Sequence, residues 1–286
     1  MRDKQQLLLV DGSGYIFRAF HALPPMTRGD GTPVNAVYGF TAMLMKLIDD
    51  MQPDHVAVVF DVARKTFRSD IYPDYKANRS EPPEELVPQF ALVREATAAL
   101  TLPAVELAGF EADDMIATYA AAAEAAGLAT TIVSSDKDLM QLVRGYVTML
   151  DPMKQRRIGA AEVVERFGVP PEKVGDVQAL PGDSTDNVPG VPGIGIKTAA
   201  ELITTYGDLE TLLARADEIK QPKRRENLLN FAEQARISRQ LVLLRDDAPM
   251  PLELAALKTP ARDMDRLIAF LQQQDFTRLL VRVGAG

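Results

Sequence analysis

The sequence predicts an α/β fold, a mostly parallel central sheet flanked by helices, with a helical module after it. Two observations predict it. Three short apolar runs each end in an aspartate: Leu7 to Val10 before Asp11, Val56 to Phe60 before Asp61, and Thr130 to Ser135 before Asp136. They read as buried strands, and the helical periodicities between them imply parallel crossovers. From about Val163 onward the pattern changes to short helices divided by Pro and Gly.

Taken in order, Leu7 to Val10 is the first strand. Val37, Phe40, Leu44, Leu47, Ile48 and Met51 recur at 3.6 spacing and predict a helix before the second strand at Val56. Two further helices follow, Leu86 to Leu100 and Ala112 to Ala126, the latter closed by Gly127. The third strand begins at Thr130. A turn-rich segment runs from Pro181 to Gly195, and a helix from Lys197 to Tyr206. The end, Leu279 to Gly286, tapers without a closing element and reads as a domain boundary. The resulting division is a core over 1–162 and a helical module with a C-terminal segment over 163–286.

Composition narrows the chemistry. With 47% hydrophobic and 25% charged residues the chain is an ordinary globular one, neither collagen-like nor disordered. Its longest stretch without a charged residue, Gly31 to Met45, is 15 residues and polar in part, whereas a membrane span needs roughly 18 apolar ones. No secretory leader is legible, so the cytoplasm is the expected compartment. There are no cysteines, and the two histidines, His21 and His55, lack ligand spacing. Catalysis must therefore rest on carboxylates, Lys, Arg, Tyr, Ser and any metal that carboxylates can hold.

In parallel sheets the carboxyl ends of strands face the ligand crevice, so Asp11, Asp61 and Asp136 should converge. Further acids cluster at Glu111, Asp113 and Asp114, at Asp138, and at Asp183 with Asp186, nine in all. Singly, Glu111 and Asp114 suit helix capping and Asp183 and Asp186 suit turns. Together they repel, by about 3 kcal/mol per pair at ~5 Å and an effective dielectric of 20, so they require cations. An all-oxygen donor set suits Mg²⁺ or Mn²⁺ and a phosphate ester substrate. The formal charge of −8 does not exclude nucleic acid: without these nine, 31 acids face 32 basic residues.

Two other features point the same way. Between Arg64 and Arg79, five cations (Arg64, Lys65, Arg68, Lys76, Arg79) interleave with Phe67, Tyr72 and Tyr75, as suits a single strand of nucleic acid or a solvated linker. Gly190 to Lys197 fails as a P-loop, because Ile196 separates Gly195 from Lys197 and no strand precedes it. It reads instead as a glycine hairpin entering a helix, with Gly193, Gly195 and Lys197 placed to grip a backbone phosphate.

These segments together resemble the 5′ nuclease domain at the N-terminus of bacterial DNA polymerase I, a member of the flap endonuclease superfamily. The matching segments are Leu-Val-Asp11-Gly-Ser, Val-Phe-Asp61, Phe67-Arg68 through Tyr75-Lys76-Ala-Asn-Arg79, and Gly-Phe-Glu111-Ala-Asp113-Asp114. They continue with Ser-Ser-Asp136-Lys-Asp138, Pro-Gly-Asp183-Ser-Thr-Asp186-Asn and Gly-Val-Pro-Gly-Ile-Gly-Ile-Lys197. The resemblance covers essentially the whole chain, while the polymerase and proofreading portions are not in this sequence.

The resemblance implies a PIN-like core whose metal-site acids are Asp11, Asp61, Glu111, Asp113, Asp114, Asp136, Asp138, Asp183 and Asp186, holding two or more Mg²⁺ or Mn²⁺ ions. It implies a helical arch over about 64–90, with Arg68, Lys76 and Arg79 as catalytic cations and Phe67 and Tyr75 as DNA contacts. It also implies a helix-three-turn-helix around Pro171 to Tyr206, where K⁺ assists Gly193, Gly195 and Lys197 on duplex DNA. The expected activity is two-metal hydrolysis of flapped, branched or nicked DNA and of RNA primers on DNA, in replication and repair. A cytoplasmic, nucleoid-associated monomer is expected. Two rival readings fit the sequence less well. A phosphatase of the haloacid dehalogenase type wants an Asp where Ser13 stands. A DNA-binding protein without cleavage has no use for nine retained acids.

Overall fold

A computed structural model describes residues 4–286. The first part of the chain runs β1 (Gln6–Asp11), α1 (Gly12–Ala22), α2 (Asn35–Met51), β2 (His55–Val59), α3 (Phe67–Ile71), α4 (Gln89–Ala99), β3 (Ala104–Val105), α5 (Ala112–Ala125), β4 (Ala129–Val133), β5 (Val147–Asp151) and β6 (Arg156–Ile158). Helices follow: α6 (Ala160–Phe167), α7 (Val174–Ala179), α8 (Ile196–Tyr206), α9 (Leu209–Ala214), α10 (Pro222–Asn230), α11 (Ala232–Val242), α12 (Met264–Gln273) and α13 (Thr277–Arg282).

The strands form one sheet in the order β3-β2-β1-β4-β5-β6, parallel except for β6. Alternation explains the unbroken apolar runs. Leu7 and Leu9, in register with His55 and Ala57 on β2 and with Thr130 and Ile132 on β4, share one packed face with α5 and most of the later helices. Leu8 and Val10 face the other way, onto α1, α2 and α4. A strand covered on both faces has no use for polar alternation. Strand order reverses beside β1, between β2 and β4, and a crevice opens at the carboxyl ends there.

The expected strands and main helices form at their expected places, with α4 starting at Gln89, after Pro88, and not at Leu86. The sequence reading missed α1, whose Asp-Gly-Ser-Gly start looks like a turn, and the short strands β3, β5 and β6. The expected helical arch is mostly not helical. Between residues 64 and 90 the chain forms α3 and the start of α4, with turns between them. Pro73, Pro82, Pro83 and Pro88 account for this, since proline lacks the amide that a helix interior needs.

The C-terminal segment packs back on the core. After α11 the chain returns along α5: Ala248 N–H donates to Thr118 Oγ1, and the Tyr119 hydroxyl donates to the Leu252 carbonyl at 2.6 Å. It then meets β2, where Thr259 N–H donates to the Asp54 carbonyl at 2.8 Å. Leu267, Leu271, Phe276 and Leu279 of the final helices are buried in the cluster built on α2 and α4. Residues 243–283 therefore strap the core, and the end that reads as tapering from Leu279 carries part of α13. Among the described residues, no helix is long and apolar enough to cross a membrane.

Candidate functional site

The site is assembled at the carboxyl end of the sheet. Asp11 ends β1 and caps α1: its Oδ1 accepts from Gly14 N–H at 2.7 Å and its Oδ2 from Ser134 Oγ, just past β4, at 2.7 Å. Gly14 is required here, because a Cβ on it would lie 2.4 Å from the Asp11 carboxylate. Asp61, past β2, accepts from Ala112 N–H at 2.8 Å, so it sits at the positive end of α5. Glu111 and Asp113 come from that same helix start, and Asp136 and Asp138 from the loop after β4.

The last two acids belong to the loop 182–190. Asp183 and Val188 pair backbone to backbone, and Gly182 and Gly190 lie back to back with φ of +68° and +63°. A Cβ on Gly190 would stand 2.4–2.5 Å from Pro181 and Gly182 backbone atoms. This close approach folds the loop so that Asp183 and Asp186 face the cleft.

Eight of the nine acids thus line one cleft, together with Arg68, Tyr75, Lys76, Arg79 and Gln178. Burial, reinforced by Asp136 and Asp61, raises the Asp11 carboxyl to about 6 despite the Gly14 and Ser134 hydrogen bonds. Burial and Asp136 do the same for Asp138, also to about 6. Asp113 is pushed well above its ordinary value by burial and by Asp136, Asp11, Asp61 and Glu111. The buried Glu111 Oε1 has no hydrogen-bond partner. Among the described residues no three acids close into a preformed metal cage. Hard oxygen donors, mutual repulsion and an orphaned carboxylate oxygen fit divalent cations.

Cations cross this cleft from one side. Lys76 Nζ lies 2.7 Å from Glu111 Oε2 and 3.7 Å from Asp186, and Arg79 pairs with Asp186. Further bonds buckle residues 74–79 to the 182–190 loop: Lys76 N–H to the Asp186 carbonyl, Asn78 Nδ2 to the Ser184 carbonyl, and Asn187 Nδ2 to the Asp74 carbonyl.

Several expected roles do not match this placement. Asp114 is fully buried and outside the cleft; its carboxylate accepts from Arg68, Glu111 N–H and Arg245 N–H, leaving no place for a metal. Arg68 is equally buried and spends its donors on Asp114 and the Leu241 and Leu243 carbonyls, so it is not a cation facing DNA. Tyr75 is packed with Val188 and Leu241, its hydroxyl toward Glu111, and so offers no stacking face. Phe67 lies against Phe110 with Arg245 over its ring. Gly193, Gly195 and Lys197 lie outside the cleft, exposed at the start of α8.

Sequence reasoning missed Gln178, which donates to Asp138 at 2.5 Å, and Lys137, which pairs with Asp183. Lys137 had a signal, standing between Asp136 and Asp138. It also missed Phe17, an aromatic 42% exposed on the cleft wall.

A mostly parallel sheet with a carboxylate-ringed cleft at its switch point, bridged by cations, is an arrangement suited to a metal-dependent enzyme acting on phosphate esters. Comparison with known proteins identifies which one. Residues 6–168 match the 5′-3′ exonuclease N-terminal resolvase-like domain and residues 169–265 the 5′-3′ exonuclease C-terminal SAM fold. The chain belongs to the 5′-3′ exonuclease family. It is 59% identical to DNA polymerase I of Rhizobium leguminosarum, over 99% of this chain and 29% of that protein. To the enzyme of Bacillus caldotenax it is 40% identical, over 98% and 32%. The chain thus spans about a third of the length of these relatives. In fold it is similar to the T5 D15 protein co-crystallised with metal ions (TM-score 0.72, 23% identity, 95% of this chain and 99% of that one). It is also similar to the catalytic core of Rad2 in complex with DNA substrate (TM-score 0.62, 14% identity, 98% and 93%).

Proposed function

We propose that this 5′-3′ exonuclease acts as a structure-specific nuclease on flapped, branched or nicked duplex DNA and on RNA primers annealed to DNA, as a monomer. The observation that carries the reading is the ring of eight carboxylates at the switch point of the sheet, crossed by Lys76 and Arg79. Carboxylates alone would repel a phosphodiester, and cations alone would only bind it.

In this reading Asp11, Asp61, Glu111, Asp113, Asp136, Asp138, Asp183 and Asp186 hold two or more Mg²⁺ or Mn²⁺ ions, some through water. The chemistry such ions supply when bound is activation of a water and neutralisation of charge on the departing 3′ oxygen. The chain itself orients the phosphodiester: Lys76 and Arg79 take its non-bridging oxygens and stabilise the charge that grows in the transition state. Phe17, exposed on the cleft wall, suits stacking on an unpaired base. The amides at the start of α8, with Gly193, Gly195, Lys197 and a K⁺ ion, hold the duplex by its backbone and read no sequence.

Incubation of the pure chain with a labelled 5′-flap duplex tests this. Cleavage near the junction in Mg²⁺ and none in excess chelator is the expected result; undiminished cleavage in chelator would overturn the two-metal reading.

A further inference from the structure

The cleft carries its own counter-ions, and they are unevenly placed. Among the described residues, no Lys or Arg forms an ion pair with Asp11, Asp61, Asp113, Asp136 or Asp138, whereas Glu111, Asp186 and Asp183 each have a cation. Three of these cations, Lys76, Arg79 and the buried Arg68, 4.0 Å from Glu111 Oε2, come from residues 64–79. The fourth is Lys137, whose Nζ lies 2.5 Å from Asp183 Oδ2 across the gap between the β4 loop and the 182–190 loop. No function assigned above uses it.

A lysine ammonium is cationic at neutral pH, and this one is paired with a carboxylate. Its effect on the wall is local. The Lys137 ammonium and the Thr185 amide each take one oxygen of the Asp183 carboxylate, Oδ2 and Oδ1. A monovalent ammonium thus occupies one of the oxygens that a divalent ion on this side of the cleft needs. At 40% exposure the lysine side chain has room to leave.

We propose that Lys137 is a positioning residue that competes with the divalent ion for Asp183, weakening metal binding on that wall until another anion takes the ammonium. The anion at hand in the working enzyme is a substrate phosphate, so metal loading on this wall is coupled to DNA binding. This rests on the metal-site reading above. An ion pair this exposed is worth up to about 1 kcal/mol, or about fivefold in an equilibrium constant.

The test uses the full chain with Mn²⁺ alone and no DNA, titrated by electron paramagnetic resonance of free Mn²⁺ and by thermal midpoint. Lys137→Met should bind Mn²⁺ about fivefold tighter at its weaker site. Its metal-free midpoint should fall, as Asp183 loses its partner, and its Mn²⁺-induced rise should grow. Lys137→Gln, which keeps a hydrogen bond without charge, should tighten binding likewise and serves if the Met variant does not fold. Lys137→Arg should behave as wild type. Equal or weaker Mn²⁺ binding in both neutral variants would refute the competition while leaving the metal site standing. Absence of Mn²⁺ binding by the wild-type chain itself would remove the metal site and this inference with it.

Discussion

The Arg68 guanidinium holds the Asp114 carboxylate by two hydrogen bonds, 2.6 and 2.8 Å long, with both side chains out of solvent. This pair ties α3 to α5 and, through the Leu241 and Leu243 carbonyls and the Arg245 amide, to the end of α11. Removing one partner leaves a buried charge uncompensated, a loss of about 3–5 kcal/mol. Asp114→Ala should therefore lower the thermal midpoint by about 5–15 °C, and any loss of cleavage should follow the unfolded fraction. An Asp114→Ala protein with an unchanged midpoint and a large loss of turnover would return this carboxylate to the metal site.

The buried acids make a pH prediction. Asp11 and Asp138 titrate near 6 in the folded chain, above the ordinary 3.8. Groups raised in this way contribute stability below about pH 4 and lose it as pH rises through about 6. Without metal, the midpoint should fall between about pH 4 and 6.5, by about 5–10 °C if each carboxyl carries about 2–3 kcal/mol. Mg²⁺ should restore it at pH 7.5 and do little at pH 5, where protons hold the acids. Asp183, held low, changes in the opposite sense, and only below about pH 4. A metal-free midpoint that rises steadily from about pH 4 to 6.5 would contradict the burial of these acids.

How much of this was legible in the sequence depended on range. The strand-end aspartates were readable because an apolar run stopped by Asp is a local pattern and parallel topology dictates where such ends point. The roles of Arg68 and Asp114 were not. Their partners lie 46 residues apart, and the carbonyls that saturate Arg68 lie 173 and 175 residues away. A cation among aromatics reads as surface until its burial is known. Tyr75 was misplaced for the same reason, since Val188 and Leu241, which cover it, come from distant loops and helices. The return of residues 243–283 over the core was likewise hidden, because contacts between Leu267 or Phe276 and the α2 and α4 cluster leave no periodic trace in sequence.

Duplex binding should depend on salt through the exposed start of α8. Lys197 and the backbone around Gly193 and Gly195 are exposed and lie outside the carboxylate-lined cleft. Each phosphate contact releases counter-ions, so losing one should reduce the slope of log affinity against log salt by about 1. Lys197→Ala should weaken binding equally across duplex sequences and leave the saturated cleavage rate unchanged. The same slope and affinity in mutant and wild type would remove Lys197 from the interface.

Lys76 separates a binding segment from a catalytic one. Its Nζ sits between Glu111 and Asp186, 18% exposed, and its amide is fixed to the Asp186 carbonyl with φ at +56°. Replacement by Ala keeps the Cβ and so adds no backbone strain beyond what the lysine already bears. Were this residue only a guide for DNA, Lys76→Ala would weaken affinity and leave the single-turnover rate at saturating enzyme intact. If Lys76, set among the cleft carboxylates, acts instead on charge that appears as the phosphodiester is attacked, the rate should fall by about 100-fold or more while affinity changes little. Arg79→Ala, on the neighbouring Asp186 oxygen, should behave similarly but less severely, because its side chain is 47% exposed and water can replace part of its effect. A Lys76→Ala protein that needs more DNA to saturate but then cuts at the wild-type rate would leave the residue as an electrostatic guide alone.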